Sequence, residues 1–157
     1  MQVTSTAFPD GGAIPMKYTQ DGTDLSPPLV FEDIPEDAAS LALIVDDPDA
    51  PDPAHPRREP WVHWVLADIP PDTRQLPEGI TQLPRGTVGK NDYDHRSWDG
   101  PAPPTGKHRY RFRLYALDRR LGLPAPTKRQ LEHAMAAHVL ARAELIGTYE
   151  RAHRARG

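Results

Sequence analysis

The sequence of 157 residues contains no cysteine, which excludes a disulfide scaffold, a thiolate metal site and a cysteine nucleophile. It also lacks an apolar run long enough to cross a bilayer, and its start lacks the basic and apolar stretches of a signal peptide. Its formal net charge of -3 at pH 7 has the wrong sign for binding phosphate backbones. We therefore expect a soluble, cytoplasmic protein with no nucleic-acid partner and no integral membrane contact.

The chain is instead rich in proline, with 19 prolines and 11 glycines that fall between the apolar runs rather than inside them. This placement indicates many ordered turns between short strands, as in sandwich-like β proteins. We find no internal repeat and no linker that would divide the chain. The sequence therefore predicts one mainly β domain that covers residues 1–157.

Five apolar runs predict the β-strands of this domain. They are expected around residues 14–18, 29–31, 41–46, 61–67 and 110–117. The segments 51–60 and 72–108 are interrupted by prolines and glycines, so we expect them to be mostly loop. In the last run, apolar or aromatic residues alternate with arginines, which indicates a strand with one buried face.

A single helix is predicted near the C-terminus. Thr127 and Gln130 have the spacing of a capping box, in which each side chain accepts a hydrogen bond from the other residue's backbone. Apolar residues then recur with helical spacing from Leu131 to Ile146, and Gly147 is a plausible stop. We therefore expect one long helix over this stretch.

Asp47 stands where an apolar strand ends in a cluster of carboxylates. By the two-residue period of a strand, it continues the buried face of Leu41, Leu43 and Val45. Burying an unpaired carboxylate costs several kcal/mol, so partners for Asp47 are expected close by.

Two histidines and a tyrosine are the candidate partners. His63 shares the strand face of Trp61 and Val65, and His108 opens the last predicted strand with Tyr110 on the same face. Each histidine taken alone is best explained as a hydrogen-bonded core residue. Together with Asp47, however, they can line one pocket rim, where imidazoles and a phenol donate to an oxyanion and the carboxylate fixes a histidine tautomer.

Three strings carry a family resemblance: DPDAP at 47–51, WVHW at 61–64 and GPAPPTGKHRY at 100–110. At these spacings they resemble the phosphatidylethanolamine-binding protein family. SPPL at 26–29, GKNDY at 89–93 and the segment 134–151 make the chain similar to the bacterial and archaeal branch, often called Raf kinase inhibitor-like. The likeness runs through nearly the whole chain in one order.

The resemblance implies an antiparallel, sandwich-like fold, with a large central sheet, a smaller sheet and a C-terminal helix. It also implies a pocket for a small anionic ligand: phosphate, acetate or a phosphorylated head group. Arg109 matches the family's arginine and is expected to support the site by pairing with Asp49. A homodimer is a further expectation. Carried over to the matching positions, the ligand-binding residues would be Asp47, Asp49, Trp61, His63, Gly100, Pro101, His108 and Tyr110.

We predict a protein that binds a small ligand in this pocket, and ligand binding there could serve a regulatory role. One alternative is a hydrolase or group-transfer enzyme that uses His63 or His108 with Asp47, although the sequence offers no obvious nucleophile. A second is an inhibitor that docks on a kinase, another enzyme or an unknown protein partner. His63, His108 and Asp47 would also suit zinc, but no close histidine spacing on one element supports this, so we predict neither metal nor cofactor.

Overall fold

The computed structural model describes residues 1–151, which form ten strands, one α-helix and a 3₁₀ helix at Met16–Tyr18. The elements in chain order are β1 Gln2–Thr4, β2 Leu29–Glu32, β3 Ser40–Asp47, β4 Pro51–Asp52, β5 His55–Pro56, β6 Trp61–Ile69, β7 Gln75–Leu76, β8 Thr87–Val88, β9 His108–Leu117, α1 Lys128–Met135 and β10 Val139–Tyr149.

The strands form a large and a small antiparallel sheet. The large sheet has five strands in the order β10-β9-β3-β6-β8, and the small sheet has the order β1-β2-β7. A two-stranded hairpin, β4-β5, stands apart within the predicted proline-rich loop. The mainly β, antiparallel fold with one helix near the C-terminus is therefore confirmed.

The main hydrophobic core lies between the two sheets. Central strand β3 is buried at all eight positions, as its unbroken apolar run predicted. Side chains from both sheets meet in this core, among them Val3, Leu29, Phe31, Leu41, Leu43, Val45, Trp64, Leu66, Phe112 and Leu114. The opposite face of the large sheet is covered by α1, which inserts Leu131 and Met135 against Ile44 and Val65.

The predicted helix begins where expected but is much shorter. Thr127 and Gln130 form the capping box in both directions. The helix ends at Met135, and Ala137 takes a positive φ of 68° that reverses the chain into β10. The predicted continuation to Ile146 is wrong, because this segment pairs with β9 along its length.

The predicted strand at residues 14–18 is also wrong. Residues 16–18 form the 3₁₀ helix, and Ala13, which precedes it in the chain, makes an isolated bridge to Thr148 of β10. The segment packs across the edge of β10 instead of joining a sheet, with the backbone N–H of Ile14 donating to the Thr148 carbonyl oxygen at 2.7 Å. Ile14 and Tyr18 are buried by that packing, whereas Met16 is exposed, so only part of the apolar run enters the core.

No helix within residues 1–151 combines the length and the apolar character needed to cross a membrane.

Candidate functional site

A cavity of about 240 Å³ opens where β3 ends and β6 and β9 begin. Antiparallel pairing brings these three strand ends to the same edge of the large sheet, since Asp47 lies opposite Trp61 and β9 flanks β3 on its other side. The lining residues are Asp47, Ala50, Pro51, Arg57, Trp61, His63, Tyr93, Ala102, Pro103, Pro104, His108 and Tyr110.

Asp47 forms part of the buried wall of this cavity and is only 3% exposed. One carboxylate oxygen accepts the backbone N–H of Asp49 at 2.7 Å, and the other lies 2.6 Å from Nδ1 of His108. An ionised carboxylate offers about four acceptor positions, so these two bonds leave capacity for a ligand.

His108 is fully buried, and both of its ring nitrogens contact protein oxygens. Nδ1 faces the Asp47 carboxylate, and Nε2 lies 2.8 Å from the carbonyl oxygen of Thr105. Both ring nitrogens of His108 are therefore occupied by protein groups, Asp47 and Thr105. The sequence, by contrast, predicted that His108 would donate to a ligand.

His63 lies at a β-bulge in β6. The register with β3 shifts at this point, because Trp64 lies opposite Val45 while Val62 lies opposite Asp46. His63 therefore lines the cavity with Trp61, as predicted, but Val65 packs on the opposite face under α1. Such bulges often lie beside functional sites, where they redirect a side chain.

The tautomer of His63 is set by a backbone carbonyl. Its Nδ1 contacts the carbonyl oxygen of Asp99, which can only accept a hydrogen bond. Burial lowers the pKa of His63 below its ordinary value, which favours the neutral ring. With the hydrogen on Nδ1, Nε2 is the nitrogen with a free lone pair.

Aromatic rings form most of the cavity wall around His63. Tyr110 and Tyr93 approach the imidazole edge-on, with ring centroids 5.2 and 5.8 Å away, and Trp61 packs against Tyr93 at 5.3 Å. Burial raises the pKa of Tyr110, so its hydroxyl remains protonated and available as a donor. The site therefore combines an apolar wall with a few polar groups.

Arg57 supplies a positive charge at the rim, and the sequence reasoning missed it. Its guanidinium lies 4.9 Å from the centre of the Trp61 ring, a cation–π contact that positions it at the cavity. The available signal was an arginine in the proline-rich loop directly before the WVHW string. An arginine at a partly exposed rim is well suited to attract an anionic group.

Asp49 lies behind the cavity rather than in its lining. Its carboxylate accepts three hydrogen bonds from Arg109, two from the guanidinium and one from the backbone N–H. These bonds hold the pKa of Asp49 below its ordinary value. The structure thus contains the ion pair expected from the sequence, and it joins the loop after β3 to the start of β9.

Gly100 and Pro101 also lie outside the lining, which is formed instead by the next three residues of the loop. The backbone N–H of Gly100 donates to Asp24, and its carbonyl oxygen accepts from Gln20. A Cβ at Gly100 would overlap the backbone carbonyl oxygen of Tyr18 as well as Asp24 Oδ1, so only glycine fits this position. Gly100 and Pro101 therefore hold the loop that places Ala102 against the cavity.

Asn91 is a second residue that sequence reasoning missed, although it lies in the GKNDY string. Its buried amide donates to the carbonyl oxygen of His63 and to the carboxylate of Asp99, and its oxygen accepts the backbone N–H of Tyr93. Asn91 therefore holds the backbone of His63 and the Asp99 side chain in place. It also fixes the loop that carries the Tyr93 ring.

The lining has little provision for covalent catalysis. Among the lining residues of the described chain there is no serine, threonine or cysteine to act as a nucleophile. His108 has both nitrogens engaged, so His63 is the lining histidine with a nitrogen free for acid–base chemistry or a ligand. The geometry is that of a preformed pocket with fixed hydrogen-bonding groups.

Comparison with known proteins identifies the relatives of this chain. The sequence model described as phosphatidylethanolamine-binding protein matches residues 4–150. A UPF0098 protein of Methanothermobacter thermautotrophicus is 48% identical over 156 residues, which cover 96% of this chain and 99% of the relative. A UPF0098 protein of Chlamydia muridarum is 47% identical over 154 residues, with coverages of 96% and 99%.

Two solved structures are similar over nearly their full length. The first is a phosphatidylethanolamine-binding protein homolog, CT736 of Chlamydia trachomatis, with a TM-score of 0.88, 44% identity and coverage of 96% of this chain and 97% of that one. The second is Escherichia coli YbcL, described as a new member of the mammalian family, with a TM-score of 0.84, 26% identity and coverages of 96% and 98%.

Proposed function

Because the chain belongs to the phosphatidylethanolamine-binding protein family, we propose that its cavity binds a small ligand through a phosphate-like anionic group. Free phosphate and the phosphorylated head group of a larger molecule share this chemistry. Acetate is a smaller anion of the same kind. Membership of the family indicates a ligand-binding protein, and the lining of the cavity supports the choice of ligand.

The observation that carries this proposal is the convergence of polar groups from three strands in one apolar-walled cavity. Asp47, His63 and Tyr110 come from β3, β6 and β9, and each reaches the same space. Apolar pockets with a few convergent polar groups are the usual form of small-ligand sites. Arg57 adds a positive charge at the entrance, which favours an anion over a neutral molecule.

The size of the cavity limits what it can enclose. Its volume of about 240 Å³ is below the range of roughly 300–1,000 Å³ that is typical for drug-sized ligands. A phosphate with a short substituent fits such a space, whereas a longer substituent would have to remain outside.

Isothermal titration calorimetry with phosphate, phosphorylethanolamine and acetate tests the proposal. We expect saturable binding of at least the two phosphorylated compounds. Arg57→Gln removes the positive charge at the rim and should weaken the affinity for these compounds by about three- to tenfold, because removal of a partly exposed ion pair costs about 1 kcal/mol. The matched control is Arg58→Gln, which removes the neighbouring exposed arginine that does not line the cavity.

Two results would overturn the assignment. One is the absence of binding for all three anions at millimolar concentration. The other is equal loss of affinity in the Arg57 and Arg58 variants, which would indicate a general surface charge effect instead of a site.

A further inference from the structure

The hydrogen-bonding groups of the cavity wall can be sorted by whether they donate or accept. Asp47 has acceptor capacity left after its bonds to His108 and Asp49. His63 donates from Nδ1 to the Asp99 carbonyl, so its free Nε2 is an acceptor while the ring is neutral. His108 has no nitrogen left for a ligand. Two acceptors therefore stand on the buried wall.

Two donors line the same cavity. The Tyr110 hydroxyl is protonated, and the Arg57 guanidinium stands at the rim against the Trp61 ring. A ligand oxygen without hydrogen is suited to these donors. The same oxygen placed against Asp47 and His63 Nε2 would bring lone pairs together, and a buried polar group without a partner is costly.

We propose that the cavity selects oxyanions that carry an O–H group, and that this hydrogen is donated to His63 Nε2 or to Asp47. This inference rests on the proposed anion site and adds its selectivity. The ligand class is phosphate, or a phosphate monoester in its singly protonated form. Sulfate has the same shape and no hydrogen to donate, so it is excluded.

The charge state of His63 depends on all the groups that face it. Asp47 and Asp99 raise its proton affinity, whereas burial among aromatic rings lowers it and has the larger effect. The neutral ring is therefore favoured at and above neutral pH. The titratable or charged groups around the imidazole are Asp46 and Asp47 from β3, Tyr110 and His108 from β9, Tyr93 and Asp99 from the loop before β9, and Arg57 at the rim.

A comparison of phosphate with sulfate at pH 8 is the decisive experiment. Both ions are then dianions of tetrahedral shape, and they differ by one O–H group. Calorimetry or competition should give at least about tenfold tighter binding of phosphate, because sulfate leaves an acceptor unpaired. Equal affinities would overturn the selectivity and leave the anion site intact. Failure of both ions, and of every phosphate ester, would overturn the anion site itself.

Methyl phosphate provides a second test, because its O–H is lost as the pH rises. Its affinity should fall by about tenfold per pH unit above the second pKa of a phosphate monoester, near 6. Phosphorylethanolamine distinguishes a head-group ligand from free phosphate. Its ammonium group can donate to Asp47 even when its phosphate has lost its hydrogen. It should therefore bind at pH 8 better than methyl phosphate. A flat or rising methyl phosphate profile would contradict the inference.

Two variants assign the selectivity to His63. In His63→Gln the side-chain amide offers donors as well as an acceptor, so the ratio of phosphate to sulfate affinity should fall towards one. Arg57→Gln should weaken both ions alike and leave the ratio unchanged, because it removes charge without changing the acceptors. An unchanged ratio in a folded His63→Gln protein, checked by its NMR spectrum, would overturn the role of His63.

Discussion

Asp46 and Asp47 are neighbours in the chain, but their side chains lie on opposite faces of the large sheet. Asp47 faces the cavity, as the strand period predicted. Asp46 had no predicted role, and in the structure it is fully buried beneath α1, where Arg111, Arg113 and Lys128 each contact its carboxylate at 2.7–2.9 Å. One carboxylate thus joins β3, β9 and the first turn of the helix.

Replacing Asp46 should be strongly destabilising. Asp46→Asn leaves three cations gathered around a neutral amide, and removal of one partner of a buried ion pair costs about 3–5 kcal/mol. Because the cations retain some solvent contact, we expect about 3 kcal/mol in urea unfolding. Glu144→Gln, an exposed change opposite Arg113 in the strand register, should stay within about 0.5 kcal/mol. A cost for Asp46→Asn below about 1 kcal/mol would contradict this description.

The sequence predicts the position of a cavity residue where the strand period applies, but not where segments distant in sequence meet. The strand period placed Asp47, His108 and Tyr110 on one face of the sheet. It could not locate Arg57 or Asn91, whose positions are set by loops that fold back from elsewhere. It also misplaced Val65, because a single bulge changes the face of every later residue in a strand.

The elements α1 and β10 illustrate a conflict between propensity and tertiary pairing. Residues 136–146 are rich in alanine, leucine, arginine and glutamate, which favour helix, and their apolar members also fit a helical stripe. The same segment alternates between inward and exposed positions, with Leu140, Arg142 and Glu144 exposed. Ten residues of pairing with β9 outweigh the local preference. The sequence could predict the start of α1, since capping is local, but not its end.

The capping box at the start of α1 provides a test of its own. Thr127→Ala removes the side chain that accepts from the Gln130 backbone N–H, and loss of an N-cap costs about 1 kcal/mol. Thr127→Ser keeps an oxygen in place and should retain most of the stability. The midpoints of urea unfolding for the two variants give the comparison, and similar losses in both would show that the cap contributes little.

At the scale of the whole molecule, the N-terminal segment closes the edge of the large sheet. Phe8 and Ile14 pack against the backbone of β10 at Gly147, and backbone hydrogen bonds join Gly11, Gly12 and Ile14 to Ile146 and Thr148. These contacts span more than 130 residues of sequence, so no local pattern could predict them. They explain why Gly147, predicted as a helix stop, lies inside a strand.

Gly147→Ala tests this closure. Its Cβ would lie 2.5 Å from Ile14 Cγ1 and 2.8 Å from Phe8 Cε2, so the N-terminal segment would have to move. Overpacking of this kind costs about 1–3 kcal/mol. Glu144→Ala, on an exposed position of the same strand, is the control and should change the free energy of unfolding by less than about 0.5 kcal/mol. Equal stability of Gly147→Ala and wild type in thermal or urea unfolding would contradict the packing.

The most direct test of the anion site is a phosphate titration of the full chain, followed through the imidazole signals of His63 in ¹⁵N-edited NMR spectra. We predict a saturable shift of the His63 Nε2 resonance, because His63 lines the cavity and its ring bonds the protein through Nδ1 within residues 1–151. The signals of His133 on α1 and of His138, which pairs with Asp118, should remain in place. Unmoved His63 signals at millimolar phosphate would contradict the account.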